Sequence, residues 1–327
     1  MHKVCFQKFL KVADLKNNAG IDRVAIIDPS SYSLPYDYYF IREVAKNIKV
    51  DFYFSVHSAN YQYIENLSLI ENVRLFEYSI SPSVSSRFSG IVSYTSLLFS
   101  VFLRQRKYRY IHFIWSIFPI FELGFFLFIR KKLVFTFHND APHGHASPYY
   151  LPFSIINRLA RKIVFVSAFT KRRFCATYGS HPDMHLMQHG IMPVCEAFEN
   201  FPRYSSVLEK KLIFWGRVES YKGLDMFLKF DIDLPVEIHG RWSRKLHDLR
   251  HSLSAKPSFL IVDEYLSEDD LSRLLSREAV FILPYKDATQ SGVLYTLLAH
   301  AKVFIASAAG ENKEFLEAHG LEKLVFD

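Results

Sequence analysis

The sequence is poor in cysteine, with three residues in a chain of 327. Cys5, Cys175 and Cys195 lie far apart and form no Cys-x-x-Cys pair. A disulfide framework or a structural zinc site needs grouped cysteines, so this distribution argues against both and suits a reducing compartment. Each cysteine is expected to be a small buried hydrophobic residue.

Glycine is also scarce, with 12 residues, and no Gly-x-Gly-x-x-Gly motif follows the first predicted strand at 23–28. That motif lets a dinucleotide approach the backbone closely, so its absence argues against a nicotinamide cofactor. We predict no cofactor of any other kind either.

Apolar runs long enough to cross a bilayer are absent from the sequence. The longest, residues 117–129, is interrupted by Glu122, whereas a spanning helix needs about 20 apolar residues. Residues 1–20 are mixed in polarity and end in a polar stretch, unlike a secretory signal peptide. These features predict a cytoplasmic protein.

Positive charge is in excess, with 40 Lys and Arg against 33 Asp and Glu and a net charge of +7. A basic protein suits phosphate-rich partners such as nucleic acid, an anionic membrane or nucleotide-sugars. The sequence contains no zinc-finger, RNA-recognition or helix-turn-helix pattern, so nucleic acid is not an expected partner.

Predicted strands and helices alternate along the chain, as in an α/β protein with parallel sheets. At roughly 100–200 residues per domain, the length favours two domains. We place the N-terminal domain at 1–192, a linker with prolines and serines at 193–210, and the second domain at 211–327. The strands predicted in the first domain are 23–28, 50–54, 72–77, 110–115, 133–137 and 162–166.

The second domain opens with an apolar strand that ends at Gly216 and is followed by two cations, Arg217 and Lys222. Helical spacing resumes after Gly223. Ligands of open α/β sheets bind at the carboxyl ends of the strands, and Arg and Lys beside a helix N-terminus suit phosphate groups. The alternative interpretation is a solvated loop with two ordinary surface cations.

A second stretch of this domain has a similar layout. A predicted strand at 280–285 ends at proline, a polar loop covers 286–292, and a helix is predicted at 293–301. Ser291 and Gly292 stand at the start of that helix, where free backbone N–H groups suit an anion.

Together the two stretches resemble the nucleotide-sugar half of GT-B glycosyltransferases, specifically the retaining glycosyltransferase family 4. The match consists of Gly-Arg at 216–217, Lys-Gly at 222–223, Pro-Tyr at 284–285 and Gln-Ser-Gly-Val-Leu at 290–294. The resemblance implies two Rossmann-like domains with parallel sheets that face an interdomain cleft. It also implies which residues bind the donor: Arg217 and Lys222 on the diphosphate, with Gly216, Gln290, Ser291, Gly292 and Val293 around it.

The Thr-Phe-His of residues 136–138 follows a predicted strand and resembles another motif of this family. By that resemblance His138 hydrogen-bonds the donor sugar and helps to stabilise the charge that develops on it. His143 and His145 are close in sequence, but the spacing of the three histidines and the lack of a completing Cys or carboxylate pattern argue against a metal. For His143 and His145 a solvated loop is an equal alternative.

Two further polar groups have structural explanations. His112 lies on a predicted strand, and a histidine there is more often a satisfied core residue than a cleft residue. Asp231-Ile232-Asp233 has the spacing of metal-binding carboxylates, but it follows a predicted helix and precedes Pro235. We interpret it as a solvated turn and predict no obligatory metal.

The sequence departs from the family at an acidic pair, whose positions fall near Thr289 and Leu297. We expect Gln290 and Ser291 to replace the first carboxylate through amide, hydroxyl and backbone contacts. Because of this departure, the sequence is also compatible with a protein that binds a sugar nucleotide and catalyses its transfer weakly or not at all.

Residues 91–132 combine apolar helical segments with basic ends, among them Arg104, Arg106 and the Arg-Lys-Lys of 130–132. Apolar surface beside cations suits an anionic membrane surface. A core helix with a solvated basic end is the alternative, and the resemblance favours the membrane.

The resemblance as a whole predicts a retaining, metal-independent hexosyltransferase. The predicted partners are a UDP- or GDP-sugar donor and a glycan or lipid-linked acceptor in surface polysaccharide synthesis, with peripheral membrane contact. The alternative is a catalytically degenerate sugar-nucleotide-binding partner of an active transferase. A nucleotide-sugar epimerase of similar fold is a weaker third hypothesis, because no acidic catalytic cluster is present.

Overall fold

The chain divides into two compact units, Met1–Gly190 and Ile191–Asp327. The computed structural model describes residues 22–31, 34–55, 61–80, 87–139, 150–187, 209–230, 232–289 and 291–327. Most of the linker predicted at 193–210 lies outside these ranges. Its last two residues, Glu209 and Lys210, begin the first strand of the C-terminal unit.

The N-terminal unit is built on a seven-stranded parallel sheet with the order β3-β2-β1-β4-β5-β6-β7. Its strands are β1 Arg23–Asp28, β2 Lys49–Phe54, β3 Val73–Glu77, β4 Tyr110–Phe113, β5 Leu133–Phe137, β6 Lys162–Phe165 and β7 Met184–Leu186. Its described helices are α1 Leu34–Ala45, α2 Tyr61–Ser68, α3 Arg87–Arg104, α4 Pro119–Ile129, α5 Tyr150–Leu159 and α6 Ala168–Tyr178. Every residue of β4, β5 and β6 is buried. These strands are therefore covered on both faces, which explains their nearly continuous apolar sequence.

The C-terminal unit has a six-stranded parallel sheet with the order β10-β9-β8-β11-β12-β13. Its strands are β8 Glu209–Trp215, β9 Val236–His239, β10 Phe259–Val262, β11 Ala279–Leu283, β12 Phe304–Ser307 and β13 Val325–Phe326. Its described helices are α7 Met226–Lys229, α8 His247–Ser254, α9 Glu268–Ser276, α10 Gly292–Ala299 and α11 Glu311–Ala318.

The two sheets share one topology. The first strand of each unit is central, so β1 pairs with β2 and β4, and β8 pairs with β9 and β11. The strand order reverses at these pairs, and ligands of open α/β sheets bind beside the carboxyl ends of the strands at such a point. A ligand-binding site is therefore expected in the segments that follow β1, β4, β8 and β11.

Each unit buries its own hydrophobic core. In the N-terminal unit, Phe137 at the end of β5 packs against the rings of Phe153, Phe165 and Phe174 at centroid distances of 5.0, 5.9 and 4.4 Å. This aromatic packing holds the carboxyl end of β5, and hence residue 138, in place.

Two helices differ from prediction near the candidate sites. The sequence pattern predicts a helix at 38–47, but α1 begins at Leu34, because Pro35 has the φ of a first helical turn and lacks only an N–H that the turn does not use. The helix predicted after Gly223 is the single turn α7, since the chain is already extended at Phe230. Within the described ranges, no helix combines the length and apolar character that a bilayer span needs.

Candidate functional site

The two motif-bearing stretches of the C-terminal unit are in direct contact. Gly223 has a left-handed φ of +72°, and a Cβ on it would lie 1.8 Å from the carbonyl oxygen of Pro284. The N–H of Lys286 donates to the carbonyl of Tyr221 at 2.8 Å. The structure thus brings together the cationic loop after β8 and the polar loop after β11, at the point where the strand order reverses.

Gly216 lies where three segments converge. Its N–H donates to the carbonyl of His239, the last residue of β9, at 3.0 Å. A Cβ on Gly240 would lie 1.9 Å from the Gly216 carbonyl oxygen, and a Cβ on Gly216 would lie 3.4 Å from the Val293 side chain. The loops after β8 and β9 therefore pack closely against the first turn of α10, with glycine at both crossing points.

The two predicted phosphate-binding cations differ in environment. Arg217 is exposed, whereas Lys222 is buried and its ammonium group lies 3.6 Å from the centroid of the Tyr285 ring. Burial lowers the pKa of Lys222 to about 7, and the nearby charge of Arg217 contributes to the shift. With a pKa of about 7, the Lys222 amine is partly neutral at neutral pH, so a bound anion favours its uptake of a proton.

The N-terminus of α10 supplies backbone donors to the same region. Ser291 is the N-cap, and its buried hydroxyl accepts the N–H of Leu294 at 3.2 Å. The first N–H groups of a helix lack partners within the helix, so Gly292 and Val293 present donors near its positive end. Gln290, also a predicted donor contact, lies outside the described residues.

The positions of the missing acidic pair are both buried. Thr289 is buried at the end of the polar loop, and Leu297 is fully buried in the core of the C-terminal unit. A buried acidic residue beside this loop is Glu311, which the sequence analysis missed. Glu311 is buried, and its N–H donates to the carbonyl of Ala288 at 2.8 Å. The sequence feature that could have identified Glu311 is its position at the start of the helix after β12.

His138 follows β5 in the N-terminal unit and lies among aromatic rings. The Trp115 ring is 4.6 Å away and the Tyr36 ring meets it edge-on at 5.7 Å, both measured between centroids. Thr170 donates to the His138 carbonyl at 3.5 Å. The ring is thus positioned by segments that follow β1 and β4. His143 and His145 lie outside the described residues.

A pair of buried carboxyl groups lies at the same edge of the N-terminal sheet, and sequence analysis did not single it out. Asp28, the last residue of β1, accepts the N–H groups of Ser30 and Ser31 at 3.0 Å each. Burial raises the pKa of Asp37 well above its usual range, and the charge of Asp28 adds to the shift. Two buried carboxyl groups therefore lie together at this edge of the sheet.

His112 has the structural role that its position predicts. It is buried on β4, and its Nε2 lies 2.7 Å from the Thr136 hydroxyl. Burial lowers its pKa to about 3, so the imidazole is neutral. In the part of the chain that the structure describes, no group of three or more His, Cys, Asp or Glu side chains could hold a metal ion.

Solved structures match the chain in fold, although no protein-family model and no curated protein matches its sequence. Anabaena HepE in complex with UDP and glucose superposes with a TM-score of 0.62 at 13% identity, over 89% of this chain and 82% of that one. Sucrose-phosphate synthase from Thermosynechococcus elongatus gives 0.60 at 13% identity, over 90% and 83%. UDP-N-acetylglucosamine 2-epimerase from Rickettsia bellii gives 0.52 at 10% identity, over 80% and 74%.

These likenesses confirm the predicted fold class, two parallel-sheet α/β units of the GT-B type. At such low sequence identity the structural matches support the fold alone, which glycosyltransferases and an epimerase share. Membership of glycosyltransferase family 4 stays a prediction.

Proposed function

We propose that the protein is a glycosyltransferase that takes its sugar from a nucleotide-sugar. The observation that carries the proposal is the convergence of Arg217, Lys222 and the start of α10 at the reversal point of the second sheet. Cations and helix N-terminal N–H groups together form an anion site. HepE, of similar fold, is described in complex with UDP and glucose.

The chemistry follows from where charge develops. As the bond between the anomeric carbon and the diphosphate oxygen breaks, negative charge grows on the leaving nucleotide, where Arg217 and protonated Lys222 stabilise it. The acceptor oxygen then bonds to the anomeric carbon and gives its proton to the departing diphosphate. In the proposal, His138 hydrogen-bonds the sugar, and Gly216, Gln290, Ser291, Gly292 and Val293 hold the donor.

The finer parts of the proposal rest on the motif resemblance. Transfer proceeds with retention of configuration, without a metal ion, from a UDP- or GDP-sugar to a glycan or lipid-linked acceptor in surface polysaccharide synthesis. The protein acts in the cytoplasm. It contacts anionic membrane peripherally through residues 91–132, which carry exposed apolar side chains and exposed cations.

A panel of UDP-, GDP- and ADP-sugars tests the proposal by titration calorimetry and by release of free nucleotide. We expect binding and slow turnover with one nucleotide class. Arg217→Ala should weaken binding about 10- to 100-fold, the effect of removing a charged hydrogen bond. Lys229→Ala, which removes a cation that is 70% exposed, is the matched control. Normal transfer by Arg217→Ala would refute the diphosphate role.

The second candidate is a protein that binds a sugar nucleotide but does not catalyse transfer. Leu297 favours it, because a buried apolar side chain stands where the family has a carboxylate. In the same panel this protein would bind a nucleotide-sugar and release nothing. Interconversion of two UDP-sugars, detected by NMR, would instead indicate an epimerase.

A further inference from the structure

Helices α3 and α4 present an unusually apolar surface to solvent. The rings of Phe102 and Phe128 lie 5.8 Å apart and those of Tyr94 and Phe121 lie 6.2 Å apart, so the two helices pack side by side. The exposed large apolar residues of this surface, named here the α3–α4 face, are Ile91, Val92, Phe99, Leu103, Phe118, Ile120, Phe121, Leu127 and Phe128. Apolar patches of this extent on a protein surface mark interaction sites.

One end of the α3–α4 face contains an open groove of about 580 Å³. Its walls are Ile91 and Tyr94 of α3, the segment 117–121 and Pro152 of α5. The volume is within the range of small-molecule sites. Because the lining is almost wholly apolar, the groove suits a hydrocarbon chain better than a sugar or a nucleotide.

A single buried carboxylate holds the groove in shape. Glu122 accepts hydrogen bonds from the hydroxyl groups of Tyr94 and Ser116 and from the N–H groups of Ile117 and Phe118, the last two at 3.0 Å. Three of these donors belong to residues that line the groove. The groove is therefore preformed, which lowers the entropic cost of binding a ligand.

The groove is also linked to the candidate site of the N-terminal unit. Trp115, which lies 4.6 Å from the His138 ring, is two residues from Ile117 in the groove wall. The groove therefore lies beside the carboxyl edge of the N-terminal sheet.

Positive charge lies at the opposite end of the face. Both helices end where the next parallel strand begins, roughly 27 Å from the start of α3 at 1.5 Å per residue. The exposed cations there are Arg106 and Lys107 after α3 and Arg130 and Lys131 after α4. A face with apolar side chains and a cationic end complements an anionic bilayer.

We propose that this groove binds the hydrocarbon chain of a lipid-linked acceptor, drawn from the anionic bilayer on which the α3–α4 face lies. That the lipid is the acceptor rests on the proposed transferase function. Binding of the chain depends only on the N-terminal unit.

Farnesyl phosphate below its micelle concentration tests the groove, with binding followed by calorimetry. The paired variant Ile91→Asp with Ile120→Asp alters the groove, and both residues are exposed, at 52% and 74%, so the fold should tolerate them. Phe128→Asp alters the far end of the face, and Leu69→Asp changes an exposed residue that is 83% accessible elsewhere in the unit.

We expect the paired variant to bind farnesyl phosphate at least tenfold more weakly than the wild type, and Phe128→Asp and Leu69→Asp to bind within twofold. Vesicles of phosphatidylcholine and phosphatidylglycerol should lose binding with both the paired variant and Phe128→Asp, but not with Leu69→Asp. Equal farnesyl phosphate binding by the paired variant and the wild type would overturn the proposal. So would wild-type binding no tighter than that of inorganic phosphate. Nucleotide-sugar binding, measured on the same proteins, reports on the transferase function separately.

Discussion

The ammonium group of Lys222 lies 3.6 Å from the centre of the Tyr285 ring, and this contact joins the two loops of the C-terminal site. The hydroxyl of Tyr285 in turn lies 3.4 Å from the hydroxyl of Ser291, the residue that caps α10. The three side chains therefore link the loop after β8, the loop after β11 and the helix N-terminus. A substitution at any of the three should change the affinity for an anion bound between them.

Donor binding should depend on pH through Lys222, whose pKa is about 7. A diphosphate favours the protonated amine, so affinity for the donor should fall about tenfold per pH unit above pH 7. Calorimetry with UDP-glucose in buffers of different ionisation enthalpy should show proton uptake at pH 7.5. Lys222→Met should bind more weakly and without this uptake. Affinity of the wild type that is constant from pH 6 to 9 would contradict the assignment.

Gly240 should tolerate no side chain. A Cβ there would lie 1.9 Å from the Gly216 carbonyl oxygen, and φ is +150°. Gly240→Ala should therefore cost about 2–5 kcal/mol of unfolding free energy, the sum of overpacking and backbone strain. Urea unfolding followed by tryptophan fluorescence measures it.

Gly124→Ala is the control for that substitution, because Gly124 is an exposed residue of α4 and a Cβ on it would meet nothing within 4 Å. Helix propensity predicts a gain of up to about 1 kcal/mol there. Equal effects of the two substitutions would show that the close approach at Gly240 is not maintained in solution.

The C-terminal unit should lose stability in acid through Glu237. This carboxylate accepts hydrogen bonds from Arg277, at 2.5 Å, and Lys211, at 2.9 Å, and Arg277 is the main cause that lowers its pKa to about 2. A depressed carboxyl pKa stabilises the fold above the unfolded pKa of 4.5, and this contribution disappears as the pH falls towards 2.

Glu237→Gln should accordingly cost about 2 kcal/mol near pH 7 and flatten the loss of stability between pH 4.5 and 2. Thermal melts across this range provide the measurement. Asp248→Asn, which changes a fully exposed carboxylate, should leave both the midpoint and its pH dependence unchanged. An acid profile that is identical in Glu237→Gln and the wild type would exclude this network as the cause.

His138 should affect turnover more than donor binding. If its imidazole stabilises charge on the transferred sugar, His138→Ala should lower kcat about 100-fold and leave the Kd for UDP within twofold. Stopped-assay kinetics with the donor found in the panel separates the two. His319→Ala, at an exposed position on the C-terminal unit, serves as the control. A change in Kd without a change in kcat would place His138 in nucleotide binding instead.

Local sequence was sufficient for much of the fold. The buried strands β4, β5 and β6 are apolar runs, and Ser167, a residue type that favours helix N-caps, caps α6 by accepting the N–H of Thr170 at 3.0 Å. Helix lengths were less predictable. Helix α7 ends after one turn, and the apolar residues Leu224 and Phe227 are buried without a longer helix. That outcome depends on neighbouring core residues, which a local pattern does not contain.

The candidate site was only partly predictable for a similar reason. Arg217 and Lys222 stood out because they follow a strand, but Tyr285 was seen only as part of a motif. Glu311 is distant in sequence from Ala288, whose carbonyl accepts its N–H, and no local pattern shows that Asp37 is buried beside Asp28. Cysteine and glycine usage, charge and strand ends thus sufficed for an α/β fold of two units, and phosphate binding by the loop after β8 stays a prediction.

Tertiary structure alone decided which side chains meet and how they are charged. Lys222 has a pKa of about 7, and Leu297 is enclosed where a carboxylate was expected, because each lies in a dry environment built from other strands. Burial and proximity are properties of the packed chain. They depend on how parallel strands bring their carboxyl ends together, and the order of residues along the chain does not state them.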